Sequence, residues 1–152
     1  MSQEILGQSP VFKGIPAEGV KRFLEAGRVR EVSPADVIIK EGQYNDSLHV
    51  LLEGELEVCL PGGTGRFGKI ELARLRPGAC VGEYSFIDRQ PASAAVIARA
   101  PGHIFSLRND EFVSLLGKHP GVACIIYRNL LNVLIARLRE DNAMLDMIRP
   151  RR

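Results

Sequence analysis

Residues 81–96 read VGEYSFIDRQPASAAV (Val81–Val96). A glycine and an acid, Gly82 and Glu83, open a short helical run, a start suited to seating an anion on backbone N–H groups. Further along stands Pro91, where a positive charge would complete such a site, and the residue that follows is Ala92. Whether this stretch is a ligand pocket, or a pocket that has lost its ligand, depends on what surrounds it.

Around it, from Val29 to Leu107, run short segments punctuated by Gly and Pro: VIIKEG, SLHVLLEG, ELEVCLPGGTG, KIELARLRPG, SAAVIARAPG and HIFSLR. Two alternate cleanly. Leu48, Val50 and Leu52 share one face, and Leu56, Val58 and Leu60 resume it after Gly54, the pattern of half-buried antiparallel strands joined by a tight turn. Many short strands at regular spacing predict a sandwich or barrel rather than an open parallel sheet. PGGTGRFG, Pro61 to Gly68, is glycine-rich but lacks the lysine and hydroxyl of a P-loop, so it reads as a flexible hairpin tip.

Helical periodicity frames the strands. PAEGVKRFLEAG places Val20, Phe23 and Leu24 on one face and stops at Gly27, which predicts a short amphipathic helix. NDEFVSLLGKHP predicts another, with Asn109 as its N-cap, acids in its first turn and Pro120 beyond its last. One long helical pattern then runs from about Gly121 to Ile148. Leu131, Leu134, Leu138, Leu145 and Ile148 fall at three- and four-residue steps, with Asp141 interrupting. So narrow a stripe predicts a helix-to-helix dimer seam; packing back on the chain's own barrel is the alternative.

Composition bounds the reading. A chain of 152 residues is one domain with room for a core. Its net charge of +2 is spread along the sequence, RPRR at the end being the local exception, which gives no general nucleic-acid or membrane signal. MSQEILGQSPVF has neither the basic nor the apolar region of a signal peptide, and no apolar run approaches the ~20 residues of a membrane span. Cys59, Cys80 and Cys124 lie far apart without CxxC spacing, as reduced thiols of a cytoplasmic protein do. A metal-dependent roll would need clustered histidines, and His49, His103 and His119 stand alone, so no metal is expected. No Ser or Cys sits in a nucleophile motif such as G-x-S-x-G. No catalytic residue and no enzyme activity are expected.

A helix, a roll of short strands, a glycine–glutamate cassette, more strands and a long C-terminal helix form a recognisable order. VFKGIPAEGVKRFL, EGQYNDSLHVLLEGELEV with Gly42, Asp46 and Gly54 at its turns, RPGACVGEYSF, and HPGVACIIYRNLLNVLIARLRE carry it. Over roughly residues 10–147 the chain resembles the cyclic nucleotide-binding domain family, the effector domain of catabolite activator protein and its relatives. The resemblance implies a mostly β fold with flanking helices, a double-stranded β-helix or jelly roll. It would be one domain over 1–152, with the roll at about 28–107 and C-terminal helices at about 109–118 and 121–148.

It also implies a site. Gly82 would let the backbone approach the ligand, and the N–H groups after it would face the cyclic phosphate. Glu83 would accept a hydrogen bond from the ribose 2′-hydroxyl, with Tyr84 and Ser85 beside it. An arginine after the proline would pair with the phosphate, and the small hydroxyl residue beyond it would add a donor. Gly82, Glu83, Pro91 and Ser93 occupy those positions, and the arginine position is Ala92. Removing one partner of such a buried charge pair costs ~2–5 kcal/mol, roughly 30- to 4000-fold in affinity. Arg89 is the nearest substitute in sequence. Gly82 and Glu83 also have a reading without a ligand, as a tight turn and a complement to a helix N-terminus.

The resemblance thus implies a stand-alone regulatory module, sensing cyclic AMP or cyclic GMP with weakened affinity and binding no other cofactor. It would be a homodimer through its long helix, passing output to an unidentified effector protein. The family's transcription factors carry a helix-turn-helix after that helix, and RPRR is too short for one, so direct sequence-specific DNA binding is not expected. The alternative is a ligand-free dimeric interaction or scaffold module acting through the C-terminal helix. A third reading is a domain cut from a longer regulator.

Overall fold

In the computed structural model of the protein, the described residues are 1–63 and 65–148, apart from the side chains of Asp146 and Ile148. The RPRR cluster at 149–152 and the Ile148 side chain of the seam lie outside them.

Among the described residues, two helices, α1 (Ser2–Gln8) and α2 (Ala17–Ala26), precede eight strands. The strands are β1 (Arg28–Val32), β2 (Val37–Ile39), β3 (Ser47–Glu53), β4 (Leu56–Leu60), β5 (Ile70–Leu75), β6 (Cys80–Val81), β7 (Ala95–Ala98) and β8 (Gly102–Arg108). Helix α3 (Glu83–Asp88) interrupts them between β6 and β7, and α4 (Asn109–Lys118) and α5 (Pro120–Ile148) follow. The strands form two four-stranded antiparallel sheets, β1-β8-β3-β6 and β2-β7-β4-β5, the predicted roll. Residues 82–94 therefore leave one sheet at β6 and enter the other at β7, which places them at the end of the roll between the two layers.

Two apolar clusters hold this arrangement. Between the first sheet and the helices pack Leu6, Phe12, Phe23, Leu48, Val50, Leu52, Phe112, Ile126 and Leu130. Between the sheets pack Val32, Ile39, Leu51, Leu56, Val81, Val96 and Ile104. Full burial of each large side chain contributes about 1.5–3 kcal/mol.

This division corrects the expected hairpin. β3 and β4 do not pair; they belong to different sheets. Leu48, Val50 and Leu52 face the helices, whereas Leu56 joins the cluster between the sheets, with Val58 packed against it. β3 is not half-buried either, because only its last residue, Glu53, is exposed. The physical reason is Gly54, whose φ of 97° turns the chain across rather than back. A Cβ there would lie 2.8 Å from the carbonyl oxygen of Pro101. The true hairpin is β4–β5, closed by the Pro61–Gly68 stretch with Gly63 bridged to Arg66.

The helices differ in smaller ways. α1 was not foreseen: its seven residues are too few for a periodic signal, yet Leu6 is fully buried. Arg108, not Asn109, occupies the N-cap position of α4, with no side-chain cap bond, and Asn109 is its first helical residue. Pro120 opens α5, where its missing N–H costs nothing.

α5 leaves the core along its length. Ile126 and Leu130 are buried, and the Asn129 side-chain amide donates to the carbonyls of Val11 (2.9 Å) and Lys13 (2.8 Å). The outer surface opens: Tyr127, Leu131, Ile135, Leu138 and Leu145 are each exposed, while Leu134 is half-buried. Over Pro120–Leu145 an eighteen-residue window reaches a mean hydropathy of 1.4, enough by length and composition alone to cross a membrane. A search for uninterrupted apolar runs misses this, because Arg128 and Arg137 break the run. Core packing on one side and the exposed stripe on the other both draw on that apolar content.

Candidate ligand-binding site

β6 pairs with β3 in the register His49↔Val81 and Val50↔Cys80, and the chain then turns at Gly82 with φ 87°. A Cβ at Gly82 would stand 2.5 Å from the Ser47 carbonyl oxygen and 2.6 Å from Asn45 Nδ2, so only glycine fits. Beneath this turn His49 is nearly enclosed. Its Nε2–H donates to Asn45 Oδ1 (3.2 Å), and its Nδ1 accepts from the Ser106 hydroxyl (2.7 Å). Burial, reinforced by the charge of Arg30 and opposed by Asp46, pulls the imidazole down to about 4, so it stands neutral. The Asn45 amide also donates to the Ser47 carbonyl at 2.6 Å, tying the network to the strand under the cassette.

The turn delivers Glu83 into the protein with 1% of its surface exposed. A carboxylate so buried requires a partner, and it has one from an unexpected element: Arg137 of α5, whose Nη1 pairs with Glu83 Oε1. Arg137 Nη2 donates to the Cys80 carbonyl at 2.8 Å, and the guanidinium lies 5.5 Å from the centroid of the Tyr84 ring. Among the described residues, Glu83 Oε2 has no hydrogen-bond partner. Phe86, one turn further along α3, packs on Phe112 of α4 (centroids 4.7 Å) and stacks on Tyr127 of α5 (6.5 Å). The short cassette helix is thus tied to α5 at two points, one ionic and one aromatic.

Between the second sheet, the cassette and α5 lies a cavity of about 350 Å³, within the range of small-molecule sites. Ile39, Val58, Leu72, Leu75 and Val96 make an apolar wall from β2, β4, β5 and β7. Gly82, Glu83, Tyr84 and Ser85 line one side and Ala92, Ser93 and Ala94 another. Arg137, Glu140, Asp141 and Met144 close it from α5. The loop is held against the turn between β2 and β3 by backbone bonds, Gly42 N–H to the Ala92 carbonyl (2.8 Å) and Ala92 N–H to the Gln43 carbonyl (2.9 Å).

Six of the seven residues singled out by sequence therefore come together on one cavity: Gly82, Glu83, Tyr84, Ser85, Ala92 and Ser93. The seventh does not. Arg89 ends α3 with φ 55°, exposed to solvent and outside the cavity lining. The cation that is present, Arg137, was missed. It lies on the flank of α5 turned away from the leucine stripe, and no spacing distinguishes such an arginine from a solvated one. The three histidines are separate: His103 Nδ1 bonds Glu53 (2.9 Å), His119 meets Arg22 and His49 serves the turn.

The cyclic nucleotide-binding domain model matches residues 29–119. The cyclic AMP receptor protein of Thermus thermophilus is 29% identical over 142 residues, covering 92% of this chain and 62% of that protein. Glutaminase 2 of Bradyrhizobium diazoefficiens is 29% identical over 143 residues, 94% of this chain but 22% of its own. The chain thus spans between about a fifth and three-fifths of the length of these relatives. Among solved structures, a cyclic nucleotide-binding domain from Methylobacillus flagellatus superposes with a TM-score of 0.83 at 26% identity, over 99% of this chain and 84% of that one. Thermus thermophilus catabolite activator protein gives 0.78 at 26% identity, over 92% and 63%.

Proposed function

Because this chain belongs to the cyclic nucleotide-binding domain family, we propose that it is a regulatory module that takes a cyclic nucleotide into the cavity beneath α5. The observation that carries this reading is Glu83, a nearly fully buried carboxylate with one oxygen unpartnered, facing a cavity whose far wall is apolar. A ribose hydroxyl is a donor suited to that oxygen, and a purine is a suitable filling for the wall. Ser93 supplies a hydroxyl at the other side.

Ala92 sets the affinity. It offers no charge to a phosphate, so binding is weaker by roughly 30- to 4000-fold than with an arginine there. A micromolar site becomes one of roughly tens of micromolar to millimolar. The module works by changing the seat of α5, without catalysis. It is a homodimer through the exposed stripe of that helix and hands its output to an effector through that surface. Cys59 and Cys80 are buried thiols, and burial pushes Cys80 up to about 12, an inert state that suits a cytoplasmic protein. The test is calorimetric titration with cyclic AMP and cyclic GMP, in which saturable binding in this range supports the reading and no heat at millimolar ligand refutes it.

A second reading has its own observation. The stripe through Tyr127, Leu131, Leu138 and Leu145 is exposed, and a ligand-free dimeric scaffold would use the same surface. A dimer that forms without any nucleotide response would favour it.

A further inference from the structure

We infer that Arg137 takes the ligand's anionic group in place of the absent cassette arginine, and that its exchange from Glu83 to the ligand carries occupancy to α5. This rests on the cyclic nucleotide reading above and names the residue that makes it possible without a charge at Ala92.

The charge inventory of the cavity leads to it. Among the described lining residues there are three carboxylates, Glu83, Glu140 and Asp141, and one cation, Arg137. An anion entering this cavity meets net negative charge in a partly desolvated space, where Coulomb terms are larger than in water. Arg137 is the cation on the lining that can offset it, since Arg89 is turned out to solvent. A guanidinium carries five N–H donors in a fixed fork, and it matches phosphate geometry better than an ammonium does. Glu83 and the Cys80 carbonyl account for contacts from Nη1 and Nη2, and Nε has no partner among them.

The exchange also balances for Glu83. A buried carboxylate that loses its cation is costly unless something replaces it. A ribose hydroxyl supplies a donor as Arg137 turns to the phosphate, so one ligand satisfies both halves of the pair it separates. A phosphate alone leaves Glu83 bare, and a nucleoside alone leaves Arg137 in place.

The consequence for α5 follows from where Arg137 sits. Upstream the helix is pinned by Ile126, Leu130 and the two bonds of Asn129. Downstream, from Leu138 to Leu145, every residue is exposed. Arg137 is the last anchored residue before the free half of the stripe, so moving it reseats that half.

The experiment is cyclic AMP titration of the full chain by calorimetry, on wild type, R137Q, A92R and the R137Q/A92R double variant, with folding checked by circular dichroism. Hydrogen exchange over 138–145 is followed with and without ligand. We expect R137Q to bind at least roughly 30-fold more weakly than wild type. The double variant recovers binding, and its exchange over 138–145 no longer responds to ligand. R137Q binding as tightly as wild type, or tighter, overturns the inference and makes Arg137 a plug. If A92R and the double variant also fail to bind at millimolar ligand, the cyclic nucleotide reading itself falls, and this inference with it. Should R137Q not fold, R137M carries the same test, because methionine keeps an apolar stem and removes the cation. Binding at least roughly 30-fold weaker than wild type then supports the inference, and any smaller loss overturns it.

Discussion

Arg137 on the long C-terminal helix and Glu83 at the start of the short cassette helix form an ion pair across the mouth of one cavity, with the carboxylate 1% exposed and the arginine side chain 31%. The pair joins the element that would touch a ligand to the element that would report it. Its unequal burial matters. Arg137 can turn toward solvent or ligand, whereas Glu83 cannot leave, so the arginine is the partner free to exchange.

Replacing Glu83 tests both halves of that relation. Glu83→Ala leaves a partly exposed arginine without its partner, a smaller penalty than stranding a buried charge, and should cost about 1–3 kcal/mol of stability. Nucleotide binding should vanish in the same variant. Thermal denaturation and calorimetry read the two effects, and binding that survives the change would place the ligand elsewhere.

The cassette turn depends on one backbone conformation. Gly82→Ala forces a Cβ into the Ser47 carbonyl at φ 87° and should cost about 1–3 kcal/mol or more. Gly117→Ala, within α4 and facing open space, should instead be neutral or stabilise by about 0.5–1 kcal/mol. Denaturant unfolding of the two variants side by side checks the contrast.

His49 gives the protein an acid limit. Its folded-state value of about 4 lies below the ordinary 6.5, so the unfolded chain binds the proton first as pH falls. The stability conferred by a neutral His49 is full above about pH 6.5 and drains toward pH 4, at a slope of up to about 1.4 kcal/mol per pH unit. His49→Gln should flatten the curve in that window, measured as wild type minus variant. Parallel curves would show that His49 is not the group responsible.

The stripe on α5 calls for a different experiment. Leu138 is 60% exposed and touches no core cluster, so Leu138→Glu should leave the monomer folded and weaken or abolish the dimer. Sedimentation at tens of micromolar decides it, and a monomeric wild type would contradict the seam.

Much of this was legible in the sequence, and the illegible parts have physical causes. The cassette could be read because Gly82, Glu83, Pro91 and Ser93 sit close together on one loop, where spacing in sequence is nearly spacing in space. The roll could be read from its short strands and turn residues. The partner of β4 could not, because alternation fixes which residues share a face and not which sheet the face belongs to; Gly54 decided that. Arg89 looked like the substitute cation because it is near in sequence. The cation on the cavity lining is Arg137 instead, because a helix folding back over the roll brings in a residue far along the chain, and no local pattern records that approach.

This cavity is proposed to hold a cyclic nucleotide weakly, for want of a charge at Ala92. The most direct measurement is calorimetric titration of wild type and Ala92→Arg with cyclic AMP and cyclic GMP, side by side. Wild-type binding is expected at roughly tens of micromolar to millimolar, with a gain of at least roughly 30-fold in Ala92→Arg. No binding by either protein at millimolar ligand, or no gain from the arginine, would contradict it.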